Sequence, residues 1–250
     1  LYIPIFVIVL YAFNESRGQA WPIKGLTLKW FHVAWTNGDV REALVTSLKA
    51  ATGATIIALI LGTLASFALH NFRFFGRESV SFLLVLPLAL PGIVTGMALN
   101  SAINFGGLTF SLWTIIIGHA TFCIVIVFNN VIARLRRTPS SLAEASADLG
   151  ASGWQTLRYV LFPSIRTALI AGGLLAFALS FDEIIVTNFT SGTEITLPQW
   201  IFNNLRLPNL RPQVNVVAFV VILASFIPVY LAQRLTGGTE GGLIPARKRR

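Results

Sequence analysis

Leu112–Ile132 reads LWTIIIGHATFCIVIVFNNVI, a run without an acidic or basic side chain apart from His119. A bilayer core asks for roughly 20 apolar residues in helical form, and this run supplies them. Arg134, Arg136 and Arg137 follow at once. The whole 250-residue chain has the same character. Hydrophobic residues make up 54% and charged residues 12%, against about 25% charged in ordinary soluble domains. Too few charges remain to cover a water-facing surface. Disorder is excluded by the apolar content, and a disulfide scaffold by the presence of one cysteine, Cys123. An all-α integral membrane protein is the class that remains.

Working outward from that run, five further candidate spans appear. The chain begins at Leu1, so Leu1–Phe13 is expected to be the end of a first span cut at its start. The others are Val45–Leu69, Ser79–Leu99, Ala168–Phe189 and Val214–Leu231. No repeat or linker divides them, and residues 1–250 read as a single membrane domain. The loops His70–Glu78 and Ala133–Thr167, together with the C-terminal tail, hold twelve of the 19 Lys and Arg residues. The richer side faces the cytoplasm by the positive-inside rule, which makes both termini cytoplasmic. The net charge of +9 therefore reads as membrane topology and not as nucleic-acid binding. The tail Arg247–Arg250 is expected to meet anionic headgroups.

The long cytoplasmic loop, about 138–163, carries the most local information. Thr138–Gly150 reads TPSSLAEASADLG. Ser141 and Glu144 have capping-box spacing, so a short helix is expected from there. Gly150 suits a left-handed stop. Ser152 and Gln155 repeat the box for a second short helix, and Pro163 marks the start of the fifth span. Glu144 and Asp148 lie four apart and share a helix face.

These residues also carry a resemblance. Glu144-Ala145-Ser146, Gly150 three residues on, and Val160-Leu161-Phe162-Pro163 after nine more resemble the E-A-A-x3-G-x9-I-x-L-P loop of permease subunits in binding-protein-dependent ABC importers. Ser146, Val160 and Phe162 depart from that pattern by small or apolar exchanges. Tyr11-Ala12-Phe13-Asn14, Leu28-Lys29-Trp30-Phe31 and Thr46-Ser47-Leu48-Lys49-Ala50 are similar to the same family. Leu179–Val186 and Ile195-Thr196-Leu197-Pro198 resemble its spermidine/putrescine branch, the PotC type, which has a paired acid at the place of Asp182 and Glu183.

The resemblance implies a type I importer permease fold with six transmembrane helices and a coupling helix in the cytoplasmic loop. It implies a second permease subunit, two ATP-binding subunits and an external substrate-binding protein. Glu144, Ala145, Ser146, Asp148 and Gly150 would form the ATPase-coupling surface. Asp182 and Glu183 would lie on the pathway of a polyamine, spermidine or putrescine, in the inner membrane of a bacterium. The chain itself is expected to be no enzyme. It has no phosphate loop and no zinc-type His or Cys spacing, so ATP and Mg are expected on the partner subunits, with no cofactor or metal here.

Counting from Pro163 at 1.5 Å per residue puts the acidic pair roughly 28 Å along the fifth span, towards the outer side. An ionisable group there is costly and faces protein or a wet cavity. Neighbouring helical residues point in different directions, so the two acids are not expected to face the pathway equally, and the motif of the resemblance favours Asp182. Placement at the headgroup level or pairing with an arginine is the plainer alternative. Asn100, His119 and Asn129 read mainly as interhelical hydrogen-bonding groups. Pro87 and Pro91 are expected to bend the third span, while Gly172 and Gly173 permit close helix packing. Trp21, Trp30, Phe31 and Trp35 fall in the outer loop Ser16–Glu42, either on the binding protein or in an interfacial belt. Ferric iron, thiamine and an organic phosphate remain as other substrates. A stand-alone channel, an ion-driven carrier or a membrane anchor remain as other classes.

Overall fold

A computed structural model describes residues 2–18, 21–23 and 25–237. The basic tail Arg247–Arg250 lies outside the described residues. Twelve α-helices occur in chain order. They are α1 Ile3–Ala12, α2 Lys29–Thr36, α3 Gly38–Asn71, α4 Arg77–Ala89, α5 Gly92–Phe105 and α6 Leu112–Arg137. After these come α7 Ser141–Asp148, α8 Gly153–Thr156, α9 Phe162–Asp182, α10 Ile185–Thr190, α11 Leu197–Asn204 and α12 Arg211–Gly237. Among the described residues the only β pairing is an isolated bridge between Asn14 and Leu26. The expected all-α membrane class is what folds.

Among the described residues, three helices are long and apolar enough to cross a bilayer, Gly38–Asn71, Leu112–Arg137 and Gly153–Asp182. Ile3–Ala12 is a shorter apolar helix, and residues 211–226 of α12 are apolar as well. The third expected span differs from its reading as one helix. It is two helices, α4 and α5, bent by 108° across a short break. Pro87 lies inside α4, and Pro91 is the N-cap of α5 with extended backbone at ψ 133°. Two residues without a backbone donor this close together cannot continue one hydrogen-bond ladder.

The fifth expected span, Ala168–Phe189, is also corrected. Its helix starts much earlier and stops earlier. It runs unbroken from Gly153 through α8 and α9 to Asp182, so the second loop helix is the beginning of the span. Pro163 does not interrupt it, because Leu157–Leu161 widen into a π-helical turn just before the proline. The wider i→i+5 spacing makes room for a ring that would otherwise meet the carbonyl four residues back.

The described chain forms two compact units, each assembled from separate segments. One comprises the described residues of 1–53, Leu90–His119 and Leu179–Ile227; the other comprises Ala54–Ala89, Ala120–Ala178 and residues 228–237. In the first, Trp30, Ala34, Leu197, Trp200, Val214 and Val217 are buried together. Phe13, Phe31 and Phe219 surround them with ring centroids 5.1–6.1 Å apart. Trp30 therefore belongs to a core and not to an interfacial belt, and its Nε1 donates to the Asn14 carbonyl at 3.0 Å. Trp21 and Trp35 are exposed.

The second unit packs by close approach of small residues. A Cβ on Gly62 of α3 would lie 2.9 Å from the Ile124 carbonyl on α6, and one on Gly172 would lie 3.3 Å from Val127. Helices in lipid gain from such contact because dispersion, not water release, drives their association. On α3, Ile56, Ile60 and Leu64 stay exposed along one face. That four-residue spacing marks an apolar stripe, which suits lipid.

Candidate functional site

The most unusual local chemistry is the end of α9. Asp182 is its last residue and is exposed, while Glu183 is half-buried in the break before α10. Glu183 has a structural task. One carboxylate oxygen, Oε1, accepts from the Val186 N–H at 3.0 Å, which satisfies a free donor in the first turn of α10. The Glu183 carbonyl accepts from Thr187 Oγ1 at 2.7 Å. The paired acids thus part company. Glu183 closes the break and Asp182 stays open to the surroundings.

The short helix α10 is held by α5 and α6. Phe189 lies so close to Gly96 that a Cβ there would overlap its ring, and Gly92 faces Ile185. Asn100 Nδ2 donates to the Phe189 carbonyl at 2.7 Å. Thr114 Oγ1 reaches the Thr190 carbonyl at 2.7 Å, and Gly118 lets Val186 and Thr190 pack against α6. Asn100 and His119 are therefore interhelical groups, as their type suggests. His119 is 1% exposed. Its ring nitrogens meet hydroxyls on the two sides of the break, Ser180 Oγ at 2.7 Å and Thr187 Oγ1 at 2.8 Å.

Beyond α10, Gly192 turns with φ +61° and a Thr196–Gln199 capping box starts α11. This turn brings Glu194 beside α3, where Thr46 Oγ1 lies 3.5 Å from its carboxylate. Glu194, Asp39 and Glu42 line a cavity of about 370 Å³ with Trp200, Asn203 and Asn204. Sequence reasoning missed this grouping. Glu42 and Glu194 are far apart in the chain, and no spacing rule links them.

In the second unit, the loop residues expected for coupling lie on α7 and its stop. Glu144, Ala145 and Asp148 are exposed. Gly150 has φ +80°. Its N–H donates to the Ala147 carbonyl at 2.8 Å, and the Ala151 N–H reaches back to the Ser146 carbonyl at 3.1 Å. Those two bonds are a Schellman stop, which needs a left-handed residue between them. Ser146 does not join the open face. It is half-buried, and its hydroxyl lies 3.0 Å from Thr156 Oγ1, tying α7 to the start of the long helix.

The two expected capping boxes divide. Ser152 and Gln155 form theirs in full. At the start of α7, Ser140 takes the cap position with helical angles and no side-chain cap bond. The Ser141–Glu144 box therefore does not close, since a residue already inside the helix cannot turn its hydroxyl onto the first donors. Around these caps, Leu149 is 89% exposed, and Leu142, Trp154 and Tyr159 are also exposed. Acidic groups on α7 thus stand beside large apolar side chains. Asn129 lines a separate groove of about 480 Å³ in the same unit, with Asn130, Arg134 and Arg137.

Residues 58–238 match the family described as binding-protein-dependent transport system inner membrane component. The spermidine/putrescine transport system permease protein PotC of Haemophilus influenzae is 34% identical over 238 residues, covering 94% of this chain and 91% of that protein. The putrescine transport system permease protein PotI of Escherichia coli K12 is 33% identical over 249 residues, covering 94% and 87%. Among solved structures, a bacterial ABC transporter involved in import of the acidic polysaccharide alginate superimposes with a TM-score of 0.72 at 16% identity. That match covers 93% of this chain and 90% of the other. The MetNI methionine ABC transporter in inward-facing form gives 0.65, also at 16% identity, over 85% and 99%. At that identity the two structures speak for the fold, a type I importer permease.

Proposed function

The chain belongs to the family of binding-protein-dependent transport system inner membrane components, and from that premise we propose that it is the permease subunit through which an ATP-driven importer passes polyamines into the cytoplasm. The observation that carries the polyamine assignment is identity of 32–34% to spermidine/putrescine and putrescine permeases over more than nine-tenths of this chain. The open carboxylate of Asp182 supports it. A polycation entering a membrane protein loses hydration, and a carboxylate on its path offsets part of that loss. Glu183 contributes by holding the break and is the lesser candidate for direct contact.

In this reading the working complex contains a second permease subunit, two ATP-binding subunits that hold ATP and Mg, and an external substrate-binding protein. The exposed face of α7 docks on an ATPase subunit through Glu144, Asp148 and the apolar residues beside them. A displacement of α7 reaches α8 through the Schellman stop and the Ser146–Thr156 contact. The helix that starts there continues for 30 residues to Asp182, about 45 Å at 1.5 Å per residue. An unbroken helix carries such a displacement as a rigid rod. Alternating access would then expose Asp182 first outward and then inward. Both termini lie in the cytoplasm on this scheme, as the distribution of Lys and Arg requires.

The test is uptake into liposomes by the complete complex with its binding protein and ATP, using labelled spermidine, putrescine, ferric iron, thiamine and an organic phosphate. ATP-dependent polyamine uptake that Asp182→Asn lowers about tenfold, about 1.4 kcal/mol, is the expected result. Uptake of another compound alone removes the polyamine assignment. Polyamine uptake indifferent to Asp182→Asn removes the role given to that acid.

A further inference from the structure

The hydrogen bonds of His119 do more than satisfy a buried ring. Ser180 lies two residues before Asp182, on α9. Thr187 lies on α10 and bonds the carbonyl of Glu183 inside the break. The imidazole bridges the two helices at 2.7 and 2.8 Å from a third one, α6. A neutral imidazole has one N–H donor and one acceptor nitrogen, and a hydroxyl can take either role. The Thr187 hydroxyl already donates to the Glu183 carbonyl, so the ring satisfies both partners with Nε2–H donating to Thr187 Oγ1 and Nδ1 accepting from the Ser180 hydroxyl.

The break itself is the reason such a bridge matters. At Glu183 and Ile184 the helical ladder is interrupted, and each residue there brings two soft dihedrals. A rotation at that point changes the direction of the Asp182 carboxylate relative to α10 and to its seat on α5 and α6. Ser180 and Thr187 alone cannot prevent it. Thr187 keeps its bond to the Glu183 carbonyl with or without the ring, while Ser180 without a shared partner falls back on carbonyls of its own helix. His119 is the group that makes the two hydroxyls report to one fixed point.

We propose that His119 is a positioning residue for transport: it locks the break between α9 and α10 so that Asp182 presents its carboxylate to a cationic substrate at a fixed place. The proposal rests on the reading of Asp182 as the pathway acid. It goes beyond that reading by assigning the geometry of the acid to a histidine on another helix. Misplacing a binding group by about 1 Å suffices to cost a large part of its effect.

The experiment uses the complete complex in liposomes, with spermidine as probe and assembly of each variant complex checked first. Uptake KM and Vmax are measured for His119→Phe, His119→Gln, Thr187→Val and Asp182→Asn. Amide hydrogen exchange is followed in residues 184–190. His119→Phe fills the volume but removes both bonds. It should raise KM about tenfold with Vmax held within about twofold, the scale of one or two lost hydrogen bonds. His119→Gln keeps a donor and an acceptor and should recover most of the KM. Thr187→Val, near in shape to the native residue, should reproduce part of the His119→Phe effect. Exchange in 184–190 should accelerate in His119→Phe and Thr187→Val and stay unchanged in Asp182→Asn.

If Asp182→Asn raises KM while His119→Phe leaves KM and exchange unchanged, the positioning role is overturned and the pathway reading stands. If His119→Phe and His119→Gln lower Vmax alike with KM constant, the ring is only a packing element and the proposal fails. If Asp182→Asn leaves KM unchanged, the pathway reading falls and takes the positioning role with it. Faster exchange in His119→Phe would then show a lock on the break that serves no substrate acid.

Discussion

Two glycines mark the difference between the loop that carries α7 and the break after α9. Gly150 stops α7 with φ +80°, and a Cβ there would meet nothing within 4 Å. Its requirement is purely conformational. Gly96 lies in the ordinary helical backbone of α5, yet a Cβ would overlap the Phe189 ring of α10. Its requirement is purely spatial. The α7 loop is specified residue by residue along the chain, whereas the break is specified by what neighbouring helices place against it. Local chemistry suffices to end a solvent-facing helix. A helix end inside a membrane protein needs partners for every freed backbone group.

The largest expected effect comes from breaking the spatial side of this comparison. Gly96→Ala should destabilise the complex by about 2 kcal/mol through overpacking, read as a lowered thermal midpoint in detergent. Phe189→Leu in the same chain should restore much of it by vacating the overlap. Gly150→Ala should cost about 1 kcal/mol from left-handed backbone strain, and no second substitution that only creates space should relieve it. Its functional readout is weakened stimulation of ATP hydrolysis by binding protein and substrate, with basal hydrolysis retained. Rescue of Gly150→Ala by enlarging a neighbouring space would erase the distinction drawn here.

A smaller effect is expected at the caps. Ser152→Ala loses a formed capping box and should cost about 1 kcal/mol, visible as faster amide exchange at residues 153–156. Ser141→Ala should change exchange by much less, because that box does not close. Equal effects at the two serines would contradict the cap assignment. The smallest is Ser146→Ala, about 0.5 kcal/mol for a half-buried hydroxyl contact. It should loosen α7 from α8 and reduce the coupling of ATP hydrolysis to uptake without altering polyamine KM.

These contrasts also explain what was legible in advance. The Schellman stop at Gly150 and the Ser152–Gln155 box were readable, since each involves residues within a few positions. The Ser141 box was misread because the same spacing occurs one residue inside the helix start. The acidic pair was found through the resemblance and the cost of an acid within a span, with Asp182 favoured for the pathway, but the structural task of Glu183 was not legible. Whether Glu183 or Asp182 stays open depends on the point at which α9 ends, and α10 decides that by offering the Val186 N–H. The clustering of Asp39, Glu42 and Glu194 around one cavity had no local signal at all.

The sequence by itself determined that the chain is helical and membrane-embedded, because too few charges exist to cover any other fold. It also determined where charge accumulates, where one loop helix stops, and which family resemblance the loop carries. The tertiary structure decided the rest: the 108° bend of the third span, the unbroken passage of the fifth helix through Pro163, the burial of Trp30 and the bridge made by His119. Each of these turns on one element supplying space or a hydrogen-bond partner to another. Side-chain spacing along a single segment fixes its own periodicity and caps, but it carries no measure of what a distant segment will place 3 Å away.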